Sequence, residues 1–257
     1  MNSYNSRYGA AYAPAGAMDM SVDAGLRAFM LGVYNKMGLG LAWSAVLAIV
    51  VGTVQPVTQL VFGTPLLYVV QFGPLALLFG SMFFMRNPSA KGAGLLYWSV
   101  VTLIGMGLGV WVLMAASGVV SQTAAGREIA VSFLTIGKAF FITAAAFGAL
   151  SLWGYTTKKD LSGLGSLLIM GIVGVILISL VNLFVQSSLL EVGLQFVALA
   201  LFSGIVAWQT QELKTSYYAL AGDQRGMAVM TYFGALNLYI AFVNIFQILL
   251  SFMGSRE

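Results

Sequence analysis

Acid–base, nucleophilic and metal chemistry each need particular side chains, and this chain of 257 residues carries few of them. It has no histidine and no cysteine, which excludes imidazole bases, His-based metal sites, thiolate nucleophiles and disulfides. The acids are Asp19, Asp23, Glu128, Asp160, Glu191, Glu212, Asp223 and Glu257. Gly165-Ser166 has no histidine to activate its serine. Asp160, after Lys158-Lys159 and just before Ser162, suits a helix start better than a catalytic role. The expectation is a protein that is not an enzyme, with no catalytic residues, no cofactor and no resident metal.

The elements that would position any site are apolar. Hydrophobic residues make up 60% of the chain and charged residues 8%, against roughly 45–50% and about 25% in soluble domains. A surface with so little charge must face lipid, so the class is an all-α integral membrane protein. Charge-free runs cover 37–85, 92–126, 139–157, 161–190, 192–211 and 226–255. A span takes about 20 apolar residues, so the first run holds two, broken at Gln55-Pro56 and Gly63-Thr64-Pro65. Seven transmembrane helices are predicted, at roughly 37–54, 66–85, 92–114, 134–155, 162–185, 192–208 and 227–253.

Residues 1–21 are small, polar and rich in Tyr and Ala, and read as a disordered cytoplasmic tail before a seven-helix membrane domain over 22–257. Residues 22–35 form either an amphipathic lead-in helix or an early start of the first span. A cytoplasmic N-terminus puts nine of the twelve basic residues inside, with Arg127, Lys138 and Arg256 outside. That is the positive-inside sense, and seven spans then place the C-terminus outside. The net charge of +4 comes with no basic patch, so no nucleic-acid partner is expected.

Polar groups at membrane depth are costly and mark function by default. None of the seven predicted spans contains a carboxylate, which excludes a retinal counter-ion or a relay of intramembrane acids. The amides within or beside the spans are Gln71, Asn182, Gln195, Gln209, Asn237, Asn244 and Gln247. Arg86 ends the second span and Lys138 lies near the outer end of the fourth; both suit anchors that reach to headgroups. Asn237, Asn244 and Gln247 make a polar stripe on the seventh helix, which suits a buried, central helix or simple helix–helix hydrogen bonding. Gly105 and Gly109 form a G-x-x-x-G pair for close helix contact. Tyr97, Trp98, Trp111, Trp153, Tyr155 and Trp208 suit interface belts.

Several stretches carry a resemblance. They are Gly25-Leu-Arg-Ala-Phe-Met-Leu-Gly-Val-Tyr-Asn-Lys-Met, then Phe147-Gly-Ala-Leu-Ser-Leu-Trp-Gly-Tyr-Thr-Thr-Lys-Lys-Asp-Leu-Ser-Gly-Leu-Gly with Ser179-Leu-Val-Asn-Leu-Phe. The last is Gly234-Ala-Leu-Asn-Leu-Tyr-Ile-Ala-Phe-Val-Asn-Ile-Phe-Gln-Ile-Leu-Leu. From about residue 24 onward the chain resembles the bacterial branch of the Bax inhibitor-1 family. The resemblance implies a seven-helix bundle in the bacterial inner membrane, in contact with lipid, with the last helix central. It also implies leak or homeostasis of Ca2+ or another small cation, or stress regulation. For some bacterial relatives the implied partner is instead a membrane quality-control protease.

In pH-sensitive members of that family, two aspartates on helices six and seven share a proton and latch onto an arginine on helix two. Matched residue by residue, the arginine is Arg86. The aspartate before Thr-Gln is Gln209, in Trp208-Gln209-Thr210-Gln211, and the one in Leu-Tyr-x-Asp-Phe is Ala241. An amide can hydrogen-bond but not titrate, and alanine does neither. The resemblance therefore implies a member without the di-aspartate pH sensor and without its evident carboxylate site for Ca2+.

Overall fold

A computed structural model describes residues 15–85, 87–123, 125–220 and 222–254, the side chains of 15–23 excepted. Its elements are α1 (Ala15–Thr53), α2 (Gln55–Phe62), α3 (Leu66–Phe84), α4 (Ala90–Ser117), β1 (Ser121–Gln122), β2 (Glu128–Ile129), α5 (Phe133–Thr156), α6 (Ser162–Val185), α7 (Ser188–Ala219) and α8 (Gln224–Gly254). Among the described residues seven helices, all but α2, are long and apolar enough to cross a membrane.

The first helix departs from expectation. It runs unbroken from Ala15, so residues 15–21 are helical rather than tail, and the first span starts early. Ala and Met dominate after Pro14 and favour a helix. Further along, Leu26, Phe29, Met30, Val33 and Met37 recur at helical spacing and are buried. The expected break after it is itself a short helix: Pro56 lies in the first turn of α2, and Gly63 closes that helix. Residues 1–14 lie outside the described residues.

Serines start three of the remaining helices. Ser89, Ser132 and Ser187 accept the backbone N–H of Gly92, Thr135 and Leu190. Asp160 accepts the Ser162 N–H at 2.9 Å at the entry to α6, the helix-start role that its sequence position suggested.

The core is built around α8, which packs against α1, α4, α5 and α7. Of its most apolar stretch 61% is buried, against 6% for α3. Helices α3 and α6 lie on the rim, packed chiefly on α4 and α7 respectively. The G-x-x-x-G pair brings α4 onto α1. A Cβ on Gly105 would stand 2.7 Å from Ser44 Cα, and one on Gly109 2.7 Å from Val51 Cγ1. Tyr97 is a core residue, not a belt residue: it is fully buried and its hydroxyl donates to the Lys36 carbonyl at 2.6 Å.

Between α4 and α5 the chain makes a small antiparallel hairpin, with Ser121 opposite Ile129 and Gln122 opposite Glu128. Its far side is tied to the end of α8, since Ala130 N donates to Gly254 O at 2.7 Å.

Candidate functional site

Helix α7 carries two polar clusters, 19 residues apart between Glu191 and Thr210 along the helix. At 1.5 Å per residue that is about 28 Å, close to the hydrocarbon thickness of a bilayer.

The first cluster lies at the hairpin end. Serine 187 caps α7, and Glu191 occupies its first turn, where the helix dipole favours a negative charge. Arg127, from the hairpin, places its Nη2 3.4 Å from Glu191 Oε1. The same nitrogen donates to Ser251 Oγ on α8 at 2.6 Å and to Gln195 Oε1 at 3.2 Å. Thr123 Oγ1 donates to Glu191 Oε2 at 2.8 Å. The side chains of Arg127 and Glu191 are 11% and 18% exposed, so water screens the pair little.

Beside this cluster is a cavity of about 430 Å³, lined in part by Thr123, Asn182, Glu191, Gln195, Phe202 and Asn244. Asn182 spends its amide on Ser187, donating to its carbonyl and accepting its N–H. Asn244 Nδ2 donates to Ile240 O on its own helix, which leaves the Oδ1 acceptor free among the described residues.

The second cluster is neutral. Tyr34 OH bonds Ser151 Oγ, which lies 3.1 Å from Thr210 Oγ1, joining α1, α5 and α7. Gln211 fastens the α5–α6 loop, accepting the Leu161 N–H at 2.7 Å and donating to Lys159 O at 2.8 Å. An opening of about 810 Å³ leads to this cluster between α1 and α5, past Arg27, Met30, Tyr34, Phe147 and Ser151. Gln209 sits beside Thr210, and its Oε1 is buried without a hydrogen-bond partner among the described residues, as is Trp208 Nε1. Ala241 is buried on α8. Arg86, the third position of the matched set, lies outside the described residues.

The amide stripe on the last helix is not the buried face that the sequence suggested. Asn237 is exposed, and Asn244 and Gln247 are only half-buried. The helix is central because Leu236, Leu238, Tyr239, Phe242 and Ile245 fill its inner faces. A second correction concerns the carboxylates. Helix α7 extends beyond the predicted 192–208 at both ends, so both Glu191 and Glu212 fall within a membrane-crossing helix. Arg127, Glu191 and Ser251 had no place among the expected site residues. The one signal was the four-residue step from Glu191 to Gln195, which puts both on one face of α7. Among the described residues no group of three or more acids could hold a metal ion.

A match to the family described as Inhibitor of apoptosis-promoting Bax1 spans residues 26–257. The chain belongs to the Bax inhibitor-1 family. An uncharacterized protein of Caulobacter vibrioides is 48% identical, with 100% of both chains covered. Uncharacterized protein RP147 of Rickettsia prowazekii is 35% identical over 91% of this chain and 92% of its own. Inner membrane protein YbhL of Escherichia coli is 31% identical over 91% of this chain and 94% of its own. With seven apolar helices and these relatives, this Bax inhibitor-1 chain is a multi-pass protein of the bacterial inner membrane.

Proposed function

We propose that this protein is a leak for small cations, Ca2+ among them, held closed in the conformation described and lacking the di-aspartate pH sensor. The carrying observation is one face of α7. Glu191, Gln195, Ala198 and Phe202 line the cavity at the hairpin end, and Thr210 joins the hydroxyl cluster at the other. Between them Val206 is fully buried. Oxygen ligands at both ends and an apolar seal of Phe202 and Val206 are what a pore gated by dewetting needs. The bias of basic residues puts the hairpin end outside and the hydroxyl cluster at the cytoplasmic side.

No charged pair at positions 209 and 241 can share a proton, so conduction is expected to be insensitive to pH. A catalytic role finds no nucleophile paired with a base among the described residues, and the protein is read as not an enzyme. Flux of Ca2+ into proteoliposomes at about pH 6 and about pH 8 tests the reading. Equal, measurable rates are expected, and Val206→Ser should raise them severalfold by wetting the seal. Absence of flux from both proteins would overturn the leak. Gln209→Asp with Ala241→Asp should add pH dependence, and its absence would count against the matched sensor positions. The alternative is a non-transporting regulator; crosslinked capture of a membrane quality-control protease, together with absent flux, would favour it.

A further inference from the structure

Arg127 sits in a shell of oxygens. Its Nη2 is 2.6 Å from Ser251 Oγ, 3.2 Å from Gln195 Oε1 and 3.4 Å from Glu191 Oε1. A hydroxyl, an amide carbonyl and a carboxylate converging on one positive centre are the ligand types that hard cations such as Ca2+ take. The carboxylate is oriented from behind by the Thr123 hydroxyl at 2.8 Å. These groups come from the hairpin, α7 and α8, and a cavity lies alongside, lined in part by Asn244, whose Oδ1 has no donor among the described residues.

The guanidinium fits this shell incompletely. Its Nε is buried with no acceptor among the described residues, an unmade bond that weighs against the seated state. Were it to leave, Glu191 would be a largely buried carboxylate without a counter-charge, which favours uptake of another cation.

We propose that Glu191, Gln195 and Ser251 form a binding site for a small hard cation, in which Arg127 is a tethered occupant and the α4–α5 hairpin the lid. A free cation competes with the arginine, so its apparent dissociation constant is the intrinsic one divided by the fraction of molecules with the lid open. One carboxylate, two neutral oxygens and water make a weak site, with affinity on the order of 10⁻⁴–10⁻³ M once the arginine is gone. The assignment deepens the cation-leak reading by naming where the ion is held, and it rests on binding rather than on flux.

Equilibrium dialysis of the purified full chain with radioactive Ca2+ tests it. Arg127→Gln should bind at least about tenfold more tightly than wild type. Arg127→Lys, which keeps a tethered cation, should behave as wild type, and Arg127→Gln with Glu191→Gln should bind nothing. No gain in Arg127→Gln, or binding retained in the double variant, would overturn the site. Should Arg127→Gln fail to fold, the wild-type chain supplies the second measurement. Saturating Ca2+ should speed amide exchange in β1 and β2 as the lid cation is displaced, and Glu191→Gln should abolish that response. Unchanged exchange in wild type would overturn the lid. Binding without flux would remove the leak and support the site; flux without binding would do the reverse.

Discussion

At the hairpin end of α7 an arginine and a glutamate face each other at 3.4 Å, mostly buried, with an amide and a hydroxyl completing the arrangement. At the other end the groups joined to α7's Thr210 are neutral, the Ser151 hydroxyl and the Val206 carbonyl, and beside it Gln209 Oε1 meets no donor among the described residues. Of the two clusters on this helix, one is thus governed by charge and the other by neutral hydrogen bonds. The two should respond oppositely to loss of a polar group. Removing one member of a buried ion pair strands the other, whereas removing an amide whose buried oxygen meets no donor among the described residues relieves a cost.

Glu191→Gln should have the largest effect, lowering stability by about 3 kcal/mol, seen as a clear fall in melting temperature in detergent. Adding Arg127→Gln should recover much of the loss, because the stranded charge goes too; an additive result in this double-mutant cycle would show that the pair is not coupled. At the neutral end Gln209→Leu should raise stability by about 1 kcal/mol. A fall instead would mean that Oε1 has a donor beyond the described residues, and the contrast between the two ends would narrow. Ser151→Ala, which cuts the Tyr34–Ser151–Thr210 chain, should lower stability by about 1 kcal/mol.

The smallest effect belongs to Asp160, fully exposed at the start of α6. The backbone N–H of Ser162 and then its side-chain hydroxyl hold the Asp160 pKa below its ordinary value. A depressed carboxylate stabilises the fold above the unfolded pKa and loses that contribution as pH falls through the folded one. The small advantage of wild type over Asp160→Ala in melting temperature should therefore be present at neutral pH and shrink in acid. An advantage that grew on acidification would contradict the assigned bond.

Much of the fold was legible. Apolar runs separated by charge, with Pro56 and Gly63-Thr64-Pro65 dividing the longest, locate seven spans because a bilayer leaves little choice of length. Gly105 and Gly109 announced a close helix contact, and only the structure named Ser44 and Val51 of α1 as the surface they meet. The polar stripe was misread because i, i+3 and i+7 spacing shows that amides share a face of α8, not which way that face turns. Arg127 and Glu191 were invisible as a pair: 64 positions separate them, and each looked like a residue at a membrane edge.

The sequence by itself determined that this chain crosses a membrane seven times, that its last helix is central by family resemblance, and that residues 209 and 241 cannot titrate. Those are properties of local composition and of side-chain chemistry, which need no partner to be true. Only the tertiary structure decided which polar groups meet. It brought the hairpin arginine under the first turn of α7 and against Ser251, and left Gln209 Oε1 without a donor among the described residues. Charge and hydrogen bonding act over a few ångströms, and distances of that size between remote parts of a chain are set by how the helices pack.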